Sequence, residues 1–374
     1  MKIPNNIGET YPANRDSAFA KAEIVTSPFL YAKTNNSLLL HGDSLDVIKI
    51  LEDNCVDLVL TDPPYHSTKK KNIYGDVDFE DDSEFIDWIS AHATEWKRVL
   101  RPNGSIYMFC SSDMAPYLYV RLSQTMNMHN IIAWSKPNEP GYDGWKQKMK
   151  KTSLRRWYPH SERIIFCSPA TEGNLKKSPL GHFLKECRQI CQLTSNVLTE
   201  RTGAYGKINN GGAVSNWEAG RNIPNRAQYL KICETFIDTG YIKIMPAYED
   251  VVRAFSIDPK KYFIDVWDQT NVRQYKGKHP AEKPLDLLDL IIQTSSYEGD
   301  VILDSFSGSG ATLVSAIRNG RKAIGIEVDD HWIRYSANRI SKEISQQSRE
   351  DYSNIISDTK HEDKPFVVEK SIQE

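Results

Sequence analysis

Apolar positions along this chain follow two periods, and the places where one gives way to the other divide it. Short apolar runs occur at Ser37–Leu40, Val56–Leu60, Ser105–Cys110, Asn130–Trp134, Arg163–Cys167, Tyr262–Trp267, Asp300–Phe306 and Ala323–Val328. Runs of that length read as buried strands. Between them apolar residues recur at helical spacing, as in Leu45, Ile48 and Leu51, in Phe85, Trp88, Ile89, Ala93 and Trp96, and in Leu285, Leu288 and Ile291. Alternating strands and helices predict an α/β protein with a doubly wound sheet. Asn130–Trp134 and Arg163–Cys167 are expected to pair antiparallel at an edge, and Arg101–Gly104 to form a turn. From about Pro169 the pattern is helical only, with Leu180, Phe183, Leu184, Cys187 and Ile190 on one face. The expected organisation is an N-terminal arm (1–36), half of a sheet domain (37–168), a helical insertion (169–257), the other half (258–345) and a polar tail (346–374). The arm is expected to be loosely attached and the tail partly disordered.

The chemistry-bearing residues fall at strand ends. Val56–Leu60 runs into Asp62-Pro63-Pro64-Tyr65. Neither proline can donate to a ladder, so the strand stops and two fixed φ angles hold a rigid corner. In open α/β sheets ligands bind just past the C-terminal ends of strands. The Asp62 carboxylate and the Pro63 carbonyl would accept both N–H groups of an exocyclic amine, and Tyr65 would stack on its ring. Taken alone, the run reads equally as a turn with a solvated acid. Asp43 sits at the same edge, as an acceptor for a ligand, as the N-cap of the following helix, or as both. The strand ending at Asp304 runs into Ser307-Gly308-Ser309-Gly310 and a helix, where a ligand can approach the backbone. Glu327, about twenty residues later at the tip of the next strand, is placed to accept from ribose hydroxyls. Strand, glycine loop, helix, strand and acid in this order indicate an adenosine-bearing cofactor. If the C-terminal strands precede the N-terminal ones in the sheet, Asp304, Glu327, Asp43 and Asp62 end four neighbouring strands.

With 374 residues, 40% hydrophobic and 26% charged, the chain has material for one large domain or two. It has no apolar run of membrane-spanning length and no signal-peptide pattern at Met1–Thr10, so a cytoplasmic protein without a membrane partner is expected. Six scattered cysteines lack the close pairing of a zinc site, so no metal and a reduced interior are expected. Net charge is −2, and any nucleic-acid surface must therefore be local. Lys146, Lys148, Lys150, Lys151, Arg155 and Arg156, flanked by Trp145 and Trp157, form such a patch. Positive charge interleaved with aromatics suits a phosphate backbone and unstacked bases, beside the plainer reading as a solvated loop. His66–Asp82 follows the corner and reads as a lid over it.

Two resemblances extend these readings. Over about sixty residues the insertion, with Ser215-Asn216-Trp217-Glu218, Gly220-Arg221 and Pro224, resembles the helix-turn-helix of Cro-type and phage-repressor-type DNA-binding domains. That resemblance places Asn209, Asn210, Ser215 and Asn216 towards DNA and Trp217 in the core, although the turn Ala204–Gly212 is longer than the pattern. Asp62-Pro63-Pro64-Tyr65, then His279-Pro280-Ala281-Glu282-Lys283-Pro284, then Asp304-Ser305-Phe306-Ser307-Gly308-Ser309-Gly310 resemble the motifs of S-adenosylmethionine-dependent amino methyltransferases of DNA, in the permuted beta order.

The methyltransferase resemblance implies a Rossmann-like sheet with circularly permuted motif order, S-adenosylmethionine as cofactor, and double-stranded DNA as substrate. A cognate restriction endonuclease is a further implied partner. By the same resemblance Asp304, Phe306, Gly308, Ser309 and Gly310 line the methionine and ribose portion, Glu327 binds the ribose and Asp43 the adenine end. His279, Lys283 and Pro284 complete the cofactor pocket, while Asp62, Pro63, Pro64 and Tyr65 hold a flipped base. Ser305 replaces the family's usual proline, which implies a looser loop. Related cytosine enzymes often open the catalytic motif with serine, so Asp62 favours adenine. The alternatives are methylation of the cytosine exocyclic amine and a non-catalytic DNA-binding regulator on the same fold.

Overall fold

The apolar runs become β1 (Leu30–Lys33), β2 (Ser37–His41), β3 (Val56–Thr61), β4 (Leu100–Cys110), β5 (Met126–Ser135), β6 (Ser161–Pro169), β7 (Val266–Asp268), β8 (Val301–Asp304) and β9 (Lys322–Glu327). Together they form one nine-stranded sheet in the order β1-β2-β9-β8-β3-β4-β6-β5-β7. The computed structural model describes residues 15–65, 79–137, 150–157, 160–169, 179–206, 211–257 and 264–359. Strands β2, β9, β8, β3 and β4 run parallel, β6 is antiparallel to both β4 and β5, and β1 closes antiparallel on β2.

Successive side chains of a strand point to opposite faces, which explains why the central runs are apolar throughout. Leu38 and Leu40, Val59, Met108 and Leu303 face one layer of helices. That layer is α1 (Arg15–Val25), α2 (Ser44–Ile50), α3 (Asp82–Val99) and α4 (Ala115–Leu122). The insertion contributes α5 (Pro179–Ile190), α6 (Ser195–Thr202), α7 (Gly212–Glu218), α8 (Arg226–Asp238) and the short α9 (Tyr248–Val251). These helices enclose a core of their own around Leu184, Cys187, Leu198, Trp217, Ile232 and Phe236. On the second face of the sheet Leu39, Leu58, Leu60, Tyr107 and Ile302 meet α10 (Leu285–Ser295), α11 (Ala311–Arg318) and α12 (Asp330–Thr359).

Several expectations are corrected. The C-terminal strands do not precede the N-terminal ones: β8 and β9 lie between β2 and β3. Asp43, Glu327, Asp304 and Asp62 still end four neighbouring strands. Residues 15–33 of the arm are integral to the domain, because α1 buries Ala18, Phe19 and Ala22 and β1 joins the sheet. Arg101–Gly104 is no free turn but a bulge in β4, where Val56 pairs with Leu100 and Leu58 with Ser105. There the Asn103 amide donates to the carbonyls of Glu249 (2.9 Å) and Val252 (3.1 Å), fastening the end of the insertion to the sheet. The β5–β6 pair is antiparallel but not at the edge, since β7 adds in parallel outside β5. The first part of the polar tail continues α12 to Thr359.

Candidate active site

Chain direction across the sheet reverses between β8 and β3. β3 leads to β4 on one side and β8 to β9 on the other, with α3 and α11 on opposite faces. A crevice opens at such a switch point, and here it encloses about 1090 Å3, part of it open to solvent. Asp62, Pro63, Pro64 and Tyr65 line it together with Asp304, Phe306, Gly308, Ser309, Glu327 and Asp43. The two motifs, more than two hundred residues apart in sequence, are joined by a hydrogen bond from Thr61 Oγ1 to Asp304 Oδ1 at 3.1 Å.

The glycine loop is shaped by its carboxylates. Glu327 Oε2 accepts from the Gly308 amide at 2.7 Å, and Oε1 accepts from the amides of Val328 (3.0 Å) and Asp329 (2.9 Å). Gly308 has φ of 48°, and a Cβ there would sit 3.1 Å from His279 Cε1, so a side chain would fill the space where the loop meets the cleft. Asp304 accepts from the Phe306 amide at 3.2 Å as well as from Thr61. Burial pushes its carboxyl up to about 6 against the pull of those bonds. Burial also raises Glu327. His279 is driven the other way, to about 4, by burial and by the nearby Lys283 charge, so its ring is neutral. Its Nδ1 accepts from the Ala281 amide at 3.2 Å, and its ring meets Trp332 edge-on at 4.3 Å. Phe306 packs against Trp88 at 5.3 Å and His92 at 5.2 Å. Asp43 fills both of its predicted roles in part: it caps α2 through the amides of Leu45 and Asp46, and it lines the cleft.

At the other motif Asp62 Oδ2 accepts from Lys283 Nζ, while Asp62 Oδ1 is buried with no hydrogen-bond partner among the described residues. Burial raises the Asp62 pKa, with the Lys283 ammonium opposing and Glu162 adding to the rise. Tyr65 donates from its hydroxyl to Glu162 Oε2 at 3.1 Å.

Some assignments need correction. Lys283 lines the cleft, but its ammonium is engaged at the catalytic corner, with Asp62 and 3.6 Å from Glu162 Oε2. Pro284 caps α10 and Gly310 caps α11, and neither lines the cleft. Ser305 does not loosen its loop: it is buried and accepts from Trp96 Nε1 at 2.8 Å. Ser44, Trp88, Glu162 and Thr312 escaped the sequence reading. Trp88 carried a signal, its helical spacing, but that placed it only in a core.

Of the basic stretch, Lys150, Arg155 and Arg156 are exposed, as is Trp157, and Lys151 opens a 3-10 turn. The Lys136 amide donates to the His160 carbonyl at 3.1 Å at the base of that stretch, next to Glu162. Ser215 and Asn216 lie half-buried on α7, where Asn216 Oδ1 accepts from Arg221, and Trp217 is core. Lys146, Lys148, Asn209, Asn210 and most of the expected lid lie outside the described residues. No helix among the described residues is long and apolar enough to cross a membrane.

The residues present fit S-adenosylmethionine. Glu327 offers acceptors beside a backbone that only glycine leaves open, Asp304 places a buried acid, Phe306 and Trp88 supply rings, and Ser307 Oγ is buried without a partner among the described residues. A switch-point crevice with an acid-and-glycine loop on one strand and a Pro-Pro corner on its neighbour defines a cofactor-dependent α/β transferase. Residues 56–338 match the DNA methylase family N6_N4_Mtase, and the chain belongs to that family. Its members are DNA methyltransferases of the N6-adenine and N4-cytosine type, and S-adenosylmethionine is their methyl donor.

DNA adenine methyltransferase YhdJ of Escherichia coli (strain K12) is 26% identical over 307 residues, covering 81% of this chain and 82% of that protein. Type II methyltransferase M.HindIII of Haemophilus influenzae is 21% identical, covering 82% of this chain and 95% of that protein. The solved PvuII DNA methyltransferase (cytosine-N4-specific) aligns with TM-score 0.48 and 18% identity over 84% of this chain and 93% of that one.

Proposed function

We propose that this chain is a site-specific DNA methyltransferase that places a methyl group on the exocyclic amine of adenine in duplex DNA, with the beta order of motifs. The observation that carries the reading is the state of Asp62: Oδ2 is held by Lys283, while Oδ1, in the cleft that Asp304 and Glu327 also line, is buried and has no hydrogen-bond partner among the described residues. Adenine is favoured over cytosine by the acid that opens the catalytic motif, and a relative bearing an adenine-methyltransferase name agrees.

Bound S-adenosylmethionine supplies an electron-poor methyl group on a sulfonium. Glu327 and Asp43 would hold its nucleoside end and Asp304 its cationic end. The target amine is a weak nucleophile because its lone pair is delocalised into the ring. Asp62 Oδ1 and the Pro63 carbonyl accept its two N–H bonds, which favours a pyramidal nitrogen and frees the lone pair. Transfer would break the methyl–sulfur bond as the N–C bond forms, leaving S-adenosylhomocysteine and a surplus proton on the amine. Asp62, raised by burial, is the neighbouring base to take it.

The base must leave the duplex to reach this corner, which costs a few kcal/mol. Stacking on Tyr65 offsets about 1–3 kcal/mol of that. The basic stretch after β5 tracks the phosphates, and the insertion, read as a helix-turn-helix around α6 and α7, selects the sequence. Type II relatives suggest an endonuclease of matching specificity as a partner.

Asp62→Ala tests the assignment. Transfer to DNA is expected to fall at least about 100-fold while calorimetry finds S-adenosylmethionine still bound. Full turnover by that variant would exclude Asp62 as the acceptor.

A further inference from the structure

Glu162 belongs to no motif, and from the start of β6 it touches two groups that line the cleft, Tyr65 and Lys283, and one beside it, Lys136. Its Oε2 accepts from the Tyr65 hydroxyl at 3.1 Å and lies 3.6 Å from Lys283 Nζ, while Oε1 pairs with Lys136 Nζ. Lys283 Nζ pairs in turn with Asp62 Oδ2. Charge therefore alternates along one line of contacts, Lys136, Glu162, Lys283, Asp62. Its far end is the carboxylate that presents an unpartnered oxygen. Rings flank the line, with Phe109 at 4.9 Å and Tyr65 at 5.5 Å from Lys283 Nζ.

We infer that Glu162 is a positioning residue for the methyl transfer: holding the Lys283 ammonium and the Tyr65 hydroxyl at once, it fixes how the Asp62 carboxylate and the stacking ring meet the base. The inference rests on the proposed role of Asp62 as acceptor of the target amine.

Lys283 Nζ pairs with Asp62 Oδ2, and the second anion, Glu162 Oε2 at 3.6 Å, limits how the ammonium can turn about that pair. The Tyr65 phenol can rotate its ring over a base or lock it, and a hydrogen bond to a fixed carboxylate locks it. A misplacement of about 1 Å in such a constellation costs on the order of 100-fold in rate.

The charges agree with the geometry. Burial opposes ionisation of Glu162, but Lys283 and Lys136 outweigh it and the pKa falls below the usual carboxylate range. Burial likewise opposes the Lys283 charge, which Asp62 and Glu162 restore and raise. Asp62 is faced by Lys283, Glu162 and Tyr65, with Cys110 on β4 and Asp304 on β8 also within electrostatic reach. Lys283 is faced by Asp62, Glu162 and Lys136, and on its own segment by Lys278 and His279.

Removing the Glu162 charge takes a repelling anion from Asp62 and lowers its pKa. It also takes a supporting anion from Lys283 and lowers that pKa too. Removing the Lys136 charge does the opposite for Lys283, because a like charge is lost.

The experiment is the single-turnover methylation rate against pH, with saturating S-adenosylmethionine and a duplex that the unaltered enzyme methylates. If the unaltered enzyme methylates no duplex, the proposed function fails, and the role of Glu162 fails with it. Given wild-type activity, Glu162→Gln is expected to lower the rate between about 10- and 100-fold, with KM for S-adenosylmethionine within about threefold of wild type. The acid limb of its pH profile moves to lower pH, because a repelling anion beside Asp62 is lost. Lys136→Gln moves the acid limb to higher pH, because a cation that favours the charged form of Asp62 is lost.

A Glu162→Gln rate within about twofold of wild type, or a reduced rate with the acid limb unmoved, overturns the inference. If thermal melting shows that Glu162→Gln is unfolded, Lys136→Gln decides. An acid limb that stays in place then overturns the inference.

Discussion

Asp304 accepts hydrogen bonds from Thr61 and from the Phe306 amide, and burial still pushes its carboxyl to about 6. A cationic ligand stabilises the charged form of such an acid. Affinity for S-adenosylmethionine is therefore expected to weaken as the pH falls through about 6. Glu327, also raised, adds to the trend, whereas His279, driven to about 4, stays neutral across it. Calorimetric titrations across that range check this, and Asp304→Asn is expected to bind more weakly with a shallower pH dependence. A second residue carries a stability prediction. Ser305 accepts from the buried Trp96 indole, so Ser305→Pro leaves that N–H unpaired. Denaturant unfolding is expected to show a loss of about 1–3 kcal/mol. The sequence had pointed the other way at this position, because a serine in place of a proline reads locally as added freedom. Its partner is 209 residues away.

Helix α1 is tied to distant elements through one side chain. Arg15 pairs with Asp57 on β3 (3.2 Å), Asp250 on α9 (3.0 Å) and Asp300 ahead of β8. Arg15→Ala leaves three buried carboxylates short of a counter-charge, and the expected cost is about 3–5 kcal/mol in urea unfolding. Its pH dependence has a definite sign. Burial, then Asp57, push Asp300 up to about 7, with Arg15 opposing. Between the unfolded carboxylate value and about 7 the folded state binds the extra proton, so stability from this group declines as pH rises through that window. Without Arg15 the window widens upward, so the variant is expected to lose more stability than wild type between about pH 5 and pH 8. Elements whose apolar period was strong, β3, α3, α10 and α11, were legible from sequence within a few residues. The arm was not, because the apolar face of α1 is only Ala18, Phe19 and Ala22, and its anchor is an ion cluster spanning 285 residues of chain. Glu162 was hidden for the same reason. Nothing local distinguishes it, and its role depends on β6 lying beside β4, with the Tyr65 corner and Lys283 converging on it.

For the whole molecule, the sequence foretold the joining of two distant segments and misplaced the join. The C-terminal strands enter between β2 and β3, which sets the cofactor loop and the catalytic corner on adjacent strands and creates the crevice between them. The order of motifs carried the four acids, but strand order is a tertiary fact that spacing does not encode. The net charge of −2 makes DNA association depend on local patches. The exposed Arg155 and Arg156 are expected to contribute through phosphates alone. Replacing both by alanine should weaken binding evenly across sequences and reduce the slope of log affinity against log salt by about 2. Filter binding over a salt series checks that.

The central claim is transfer of a methyl group to the adenine amine, and isotopic labelling tests it most directly. Unmethylated duplex DNA of mixed sequence is incubated with the protein and S-adenosylmethionine carrying a deuterated methyl group, then digested to nucleosides for mass spectrometry. The account predicts label in N6-methyldeoxyadenosine only, and none with Asp62→Ala. Label in N4-methyldeoxycytidine would contradict the choice of adenine, and no label from a folded, cofactor-binding protein would contradict the transfer itself.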